Sequence, residues 1–246
     1  YKRAVSIKPD FVDAYNNMGT AFKDQGKLTK ALEAYIKALS IKPDFAEANN
    51  NLGLTLNGLG KYEEAITKYK NAITLRSDAD KVYMNLGNTL NNQGQYEKAA
   101  DSYKKTIILK PGSGAAYNNL GATLNELGRL EEAVESYNEA ITLKPDLAEA
   151  HSNLAITLKK LGRLDNAEAS LRQAIALKPD LAEAHSNLAI TLQELGKLDD
   201  AINSFKTAHQ INPHLDIETS FAATYLRKND PANALLLLEQ FLKKYP

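Results

Sequence analysis

The chain has 246 residues, 43% hydrophobic and 24% charged, as in an ordinary folded protein, and its 30 Lys and Arg offset its 30 Asp and Glu. No net field therefore draws in nucleic acid or an anionic membrane, and neither is an expected partner. The absence of Cys excludes disulfides, thiolate metal sites and cysteine nucleophiles, and the longest apolar run, 234–238, is too short to cross a bilayer. The opening residues Tyr1-Lys2-Arg3-Ala4-Val5 lack a signal-peptide core, so a soluble, cytoplasmic protein is expected.

Residues 1–11 match only the second helix of a repeating unit, with Tyr1 in an aromatic column, Ala4 in a small-residue column and Pro9 as terminator. From Pro9 onward, Pro43, Pro111, Pro145, Pro179 and Pro213 follow at steps of 34, 68, 34, 34 and 34 residues, with Ser77 at the missed beat. Gly26, Gly60, Gly94, Gly128, Gly162 and Gly196 keep the same step, as do Ala31, Ala65, Ala99, Ala133, Ala167 and Ala201. A fixed period of this length marks stacked supersecondary units. Six full units are read: 12–45, 46–79, 80–113, 114–147, 148–181 and 182–215.

Each unit predicts two helices. In the fourth, Tyr117, Leu120, Gly121 and Leu124 define one face of a first helix, and Leu130, Ala133, Tyr137, Ala140 and Ile141 the stripe of a second. Gly128 between them suits a left-handed C-terminal residue, and Pro145 ends the unit. Asp44 with Glu47, Asp146 with Glu149, and Asp180 with Glu183 have capping-box spacing. Gly19, Gly53, Gly87 and Gly121, then Ala155 and Ala189, leave room for the partner helix. Gly112-Ser113-Gly114 reads as a flexible joint.

Residues 216–246 predict a degenerate seventh hairpin, with Asp230-Pro231 in place of the Gly turn. Its last helix carries apolar residues most of the way round, from Ala234 to Leu242, where a capping helix would show water a polar face. Further protein beyond Pro246 is expected.

The pattern Tyr-x-x-Leu-Gly-x-x-Leu, then Ala, Tyr, Ala and Pro within 34 residues, resembles the tetratricopeptide repeat over nearly the whole chain. The resemblance implies an all-α fold, a right-handed superhelical solenoid of antiparallel helix hairpins. The family's Trp at position four is replaced by Tyr15, Asn49, Tyr83, Tyr117, His151 and His185.

Catalytic and metal chemistry find no footing. His151 and His185 share a column one unit apart, with no carboxylate or further His to complete a ligand set. Glu47, Glu149 and Glu183 sit in first turns, and Glu63-Glu64, Glu131-Glu132 and Asp199-Asp200 open second helices, where an acid favours the helix dipole. The Gly112–Gly114 cluster lacks the Lys-Ser/Thr of a phosphate loop. No catalytic residue, metal or cofactor is expected, and any catalytic domain would lie outside this chain.

One feature is not demanded by folding. Positions two, five, six, nine, twelve and thirteen of the first helices lie off the core face and make up about 18% of each unit, yet hold 14 of the 22 Asn. Position six holds Asn17, Asn51, Asn85, Asn119, Asn153 and Asn187, and position five holds Asn16, Asn50 and Asn118. Position twelve adds Asn57, Asn91 and Asn125, with Asn88 and Asn92 nearby. Asn costs up to about 0.7 kcal/mol per helical site relative to Ala, so a merely solvated face would favour Lys, Glu or Gln.

An amide offers an acceptor and donors, and a row of them can follow a peptide backbone without demanding particular side chains. By resemblance, this face lines the concave groove in which tetratricopeptide repeats bind peptides. Residues 13–19 and 149–155 are also similar to repeats of O-linked N-acetylglucosamine transferase, whose array carries an asparagine ladder at the matching position. The competing reading is that these amides bond to one another or to water and stabilise the stack. Basic residues are too sparse here for the carboxylate clamp of chaperone-binding repeats. The expected function is a scaffold binding a protein or extended peptide along the groove. The alternatives are a substrate-recognition arm of a larger glycosyltransferase or oxygenase, and a solenoid that associates end to end.

Overall fold

A hairpin of two short amphipathic helices cannot bury its own apolar stripe and must stack on its neighbours. The computed structural model describes residues 7–8, 10–76 and 79–244, with side chains through residue 239. The expected leading helix of residues 1–11 falls largely outside these, as do Pro9, Ser77 and Pro246. Fourteen helices are defined among the described residues, and the chain divides into two units, 1–127 and 128–246.

The first unit holds α1 (Val12–Asp24), α2 (Leu28–Ile41), α3 (Ala46–Gly58), α4 (Tyr62–Leu75), α5 (Asp80–Asn92), α6 (Tyr96–Leu109) and α7 (Gly114–Glu126). The pairs α1–α2, α3–α4 and α5–α6 form hairpins, and α2, α4 and α6 each pack against the next first helix. The second unit holds α8 (Leu130–Leu143), α9 (Ala148–Lys160), α10 (Leu164–Leu177), α11 (Ala182–Glu194), α12 (Leu198–Ile211), α13 (Glu218–Arg227) and α14 (Pro231–Lys244). There α9–α10, α11–α12 and α13–α14 are the hairpins, while α8, α10 and α12 pack against the helix that follows.

The hairpin turn depends on its glycine. Gly26, Gly60, Gly94, Gly128, Gly162 and Gly196 have φ between 71° and 75°, a region L side chains enter only at a cost. In the last hairpin Asn229, at φ 61°, takes this role one residue before the 34-residue column. Asp230 then accepts from the Asn233 backbone N–H at 3.2 Å, and Pro231 opens α14, where its missing donor does no harm.

A second glycine column sets the helix separation in the first unit. A Cβ on Gly19, Gly53 or Gly87 would lie 2.6 Å from Cε1 of Tyr35, Tyr69 or Tyr103 respectively. All three rings are buried, so each first helix rests directly on the aromatic ring of its partner. In the second unit Ala155 and Ala189 are fully buried, and Leu171 and Phe205 fill the aromatic column. Phe205 stacks on Phe221 at a centroid distance of 5.3 Å, and Phe221 on Tyr225 at 5.3 Å.

Two expectations are corrected. The capping boxes do not form: the N-cap residues of α3, α9 and α11 are Phe45, Leu147 and Leu181, with no side-chain cap. Asp44, Asp146 and Asp180 each lie one residue too early, in the turn that follows the proline. Nor is Gly112-Ser113-Gly114 a loose joint. Ser113 is a true N-cap whose Oγ accepts from the Ala116 backbone N–H at 3.3 Å, and Gly114 is buried.

Candidate functional site

The amide stripe follows from helix geometry. With the core on positions four, seven, eight and eleven, positions five, six, nine and twelve of the first helices share a neighbouring face. In the first unit most of these amides bond from one repeat to the next. Asn51 Nδ2 donates to Asn16 Oδ1 at 3.1 Å, and Asn85 Nδ2 donates to Asn50 Oδ1 at 3.0 Å. Asn16 is only 2% exposed, and its own Nδ2 donates to Glu47 Oε1 at 3.0 Å. Asn119 Nδ2 donates to Asn88 Oδ1 at 3.0 Å, since Met84 stands where Asn16 and Asn50 stand in the repeats before it.

Position twelve is also part of the stack. Thr89 Oγ1 donates to Asn57 Oδ1 and Thr123 Oγ1 to Asn91 Oδ1, each at 3.0 Å. The amides of positions five, six, nine and twelve therefore clamp successive repeats together, and Asn16 and Asn88 each make two side-chain hydrogen bonds. Sequence periodicity identified the column, whereas the pairing of residues 35 apart depends on how one hairpin sits on the next.

Asn17, Asn51, Asn85, Asn119 and Asn187 of position six retain unused capacity among the described residues. Asn51 and Asn85 each spend one donor on the neighbouring repeat, and neither Oδ1 has a partner. Asn119 likewise has an unpartnered Oδ1, while its Nδ2 also approaches Met84 Sδ at 3.7 Å. All three are half-buried. Asn17 is exposed and Asn187 half-buried, and neither side chain makes a hydrogen bond among the described residues. Asn118 and Asn125 of the first unit and Asn153 of the second are half-buried, and Asn92 is exposed.

Position nine connects this face to the core. Tyr103 OH donates to Asn88 Oδ1 at 2.8 Å, and the Tyr35 and Thr20 hydroxyls lie 3.1 Å apart. In the repeat between them position nine is Leu54, and the buried Tyr69 hydroxyl has no partner. Burial pushes the Tyr69 phenol up to about 12, with Thr89 acting in the opposite direction, although the two hydroxyls form no hydrogen bond. Burial raises Tyr35 and Tyr103 as well.

The position-four column has a use that the sequence did not disclose. Asn49 Nδ2 donates to the carbonyls of Pro43 and Phe45 at 3.1 and 3.2 Å. His151 Nε2 lies 3.1 Å from the Pro145 carbonyl, and His185 Nε2 lies 2.9 Å from that of Pro179. A carbonyl only accepts, so each ring carries its proton on Nε2. These side chains tie down the turn ahead of their own helix. Among the described residues, no three His, Asp or Glu side chains gather as a metal site, and no helix is long and apolar enough to cross a membrane.

Residues 1–243 match the family model described as the Cilia and flagella-associated protein 70 C-terminal domain. A comparison with curated protein sequences finds no match. Among solved structures, the chain is similar to pilF of Pseudomonas aeruginosa, with TM-score 0.74 and 20% identity over 86% of this chain and 96% of that one. It is also similar to the APC/C hetero-tetramer Cut9-Hcn1, with TM-score 0.70 and 20% identity over 89% of this chain. It spans only 44% of that longer chain. A third likeness is to YrrB, described as a TPR protein with an unusual peptide-binding site, with TM-score 0.61 and 24% identity over 74% of this chain and 94% of that one. These likenesses speak to the fold alone, an all-α tetratricopeptide-type helical repeat.

Proposed function

The chain belongs to the Cilia and flagella-associated protein 70 C-terminal domain family, and from that premise we propose that it is a non-catalytic protein-interaction array. Repeat arrays work by offering extended surfaces to other proteins. The guest is an extended segment of another protein, held within each unit along the position-six amides of the first helices. Asn17, Asn51, Asn85, Asn119, Asn153 and Asn187 make the principal contacts, and Asn88, Asn91, Asn118 and Asn125 flank them.

One observation carries this reading: Asn51, Asn85 and Asn119 are fixed by their neighbours through one half of the amide and keep the carbonyl oxygen unpartnered among the described residues. An amide held still from behind loses little rotamer freedom on binding, so its hydrogen bond to a guest N–H is made at a reduced entropic cost.

Site-specific photo-crosslinking tests it. A benzophenone side chain at Asn51 or Asn85 should crosslink a bound protein in cells, and the same group at the exposed second-helix positions Lys70 or Lys104 should not. Equal yields from both faces would remove the groove from consideration.

A second reading rests on α14. Aligned from Asn229 to Gly196, Leu235 takes the place of Ile202, yet it is 59% exposed where Ile202 is 5%. The equivalent Ile66 and Ala100 of the first unit are 6% and 1% exposed, covered by the following repeat. This uncovered apolar position suits cover by a further helix, and a second copy associating end to end would supply one. Sedimentation across concentration should show it, and a monomer at every concentration would exclude it.

A further inference from the structure

A cleft of different chemistry adjoins the amide face in the first unit. It has a volume of about 310 Å³ and is lined by α3, α5, the C-terminal end of α6 and the turn that follows it. That is the small end of the range for ligand pockets, about 300–1,000 Å³, and suits one or two side chains. Leu54 and Met84 supply its apolar lining, and Asn50 and Asn85, already bonded to each other, supply a fixed polar wall. Met is unbranched and adapts its shape to what enters.

Lys81 and Lys110 line the same cleft. Both are exposed, and neither makes an ion pair or hydrogen bond among the described residues, in contrast to Lys61, Lys197 and Lys228, which pair with Glu64, Glu168 and Asp199. Among the described residues the one carboxylate that lines the cleft is Asp80, so the described lining leaves a single positive charge in excess. That charge balance matches a monoanion better than a phosphate dianion, which Asp80 would repel more strongly and which is better met by Arg.

We propose that this cleft selects guests carrying a large apolar side chain with an Asp or Glu two residues away. This rests on the reading of the amide face as a peptide groove and adds a sequence preference to it. In an extended segment, residues i and i+2 project to the same side about 7 Å apart, so both enter one cleft while the backbone stays on the amides. The apolar side chain covers Leu54 and Met84, and the carboxylate meets Lys81 and Lys110. The preference is for a side-chain carboxylate within the segment, not for the end of a chain.

The two methionines, Met18 and Met84, make the test direct, because methyl-¹³C labelling gives one reporter inside the cleft and one outside it. The probe is a blocked decapeptide of glycine and serine with a leucine and, two residues on, a glutamate. It should shift the Met84 methyl signal and leave Met18 in place. Glutamine for the glutamate, or alanine for the leucine, should weaken binding about fivefold. The double variant Lys81→Ala/Lys110→Ala should erase the difference between glutamate and glutamine while keeping the dependence on leucine.

Equal affinity for the glutamate and glutamine peptides would overturn the proposal. So would tighter binding of a phosphoserine peptide or of one with a free terminal carboxyl. If the Asn51 and Asn119 side-chain amide signals move while Met84 does not, the groove stands and the cleft preference falls. If none of these signals moves, both fall.

Discussion

Replacing Tyr69 by Phe should stabilise the protein, whereas the same change at Tyr103 should destabilise it. The two rings occupy equivalent places, each buried against a glycine of the first helix, and differ in what their hydroxyls meet. Tyr103 OH donates to Asn88 at 2.8 Å, and removing such a bond costs about 0.5–1.5 kcal/mol. The Tyr69 hydroxyl is buried with no partner because Leu54 stands at position nine, and an unsatisfied buried polar group costs about 1–3 kcal/mol. For a chain of this size 1 kcal/mol moves Tm by roughly 2–4 °C. Tyr103→Phe should therefore melt lower by a few degrees and Tyr69→Phe higher by a similar amount, followed by circular dichroism at fixed heating rate. In a Leu54→Asn background, which restores the Asn88 arrangement, Tyr69→Phe should become destabilising. A Tyr69→Phe protein that melts as low as Tyr103→Phe would refute the reasoning.

Two other predictions concern stability and a third concerns association. The Tyr69 phenol is held up to about 12 against an ordinary 10.0, so the unfolded chain loses its proton first. Stability is unaffected below pH 10 and falls between pH 10 and 12, by about 1.4 kcal/mol per unit for this group. The difference in phenolate absorbance between the wild-type protein and Tyr69→Phe should rise together with loss of helicity; a difference that appears near pH 10 with helicity intact would contradict this. Gly53→Ala places a Cβ 2.6 Å from the buried Tyr69 ring and should cost about 1–3 kcal/mol, whereas Gly112→Ala, which meets nothing within 4 Å, should stay within about 0.5 kcal/mol. Similar urea midpoints for the two would count against direct helix-on-ring packing. Leu235→Glu should abolish any concentration-dependent association seen in sedimentation, and persistence of the larger species would rule out α14 as its surface.

Much of the fold was legible because its parts are local. A positive-φ turn needs Gly, a proline stops a helix, and apolar residues three and four apart share a face, so these columns could be read before any coordinates. The caps were misread for an equally local reason. Asp44 and Glu47 have the spacing of a capping box, but the helix begins at Ala46, after Phe45, and the register of one residue decides whether a carboxylate reaches the free N–H groups. Asn229 was missed because the last hairpin turns one residue before the repeat predicts.

The amide column was visible as composition, but its division of labour was not. Whether Asn51 bonds to Asn16 or to a guest depends on the offset between stacked hairpins, which a period of 34 residues does not specify. The two sequence readings, amides that bind a guest and amides that staple the stack, turned out not to exclude one another. A primary amide has more than one function to offer, and Asn51 and Asn85 use only part of theirs on the stack.

Asn17 and Asn187 separate the two uses most cleanly, since neither side chain bonds to the protein among the described residues. The decisive measurement is the affinity of a crosslink-identified partner segment for Asn17→Ala where the first unit holds it, or for Asn187→Ala where the second does, by isothermal titration calorimetry alongside Tm. Each lost hydrogen bond, at about 0.5–1.5 kcal/mol, should weaken binding roughly two- to tenfold, with Tm unchanged. Wild-type affinity at wild-type Tm would mean that these amides do not grip a guest.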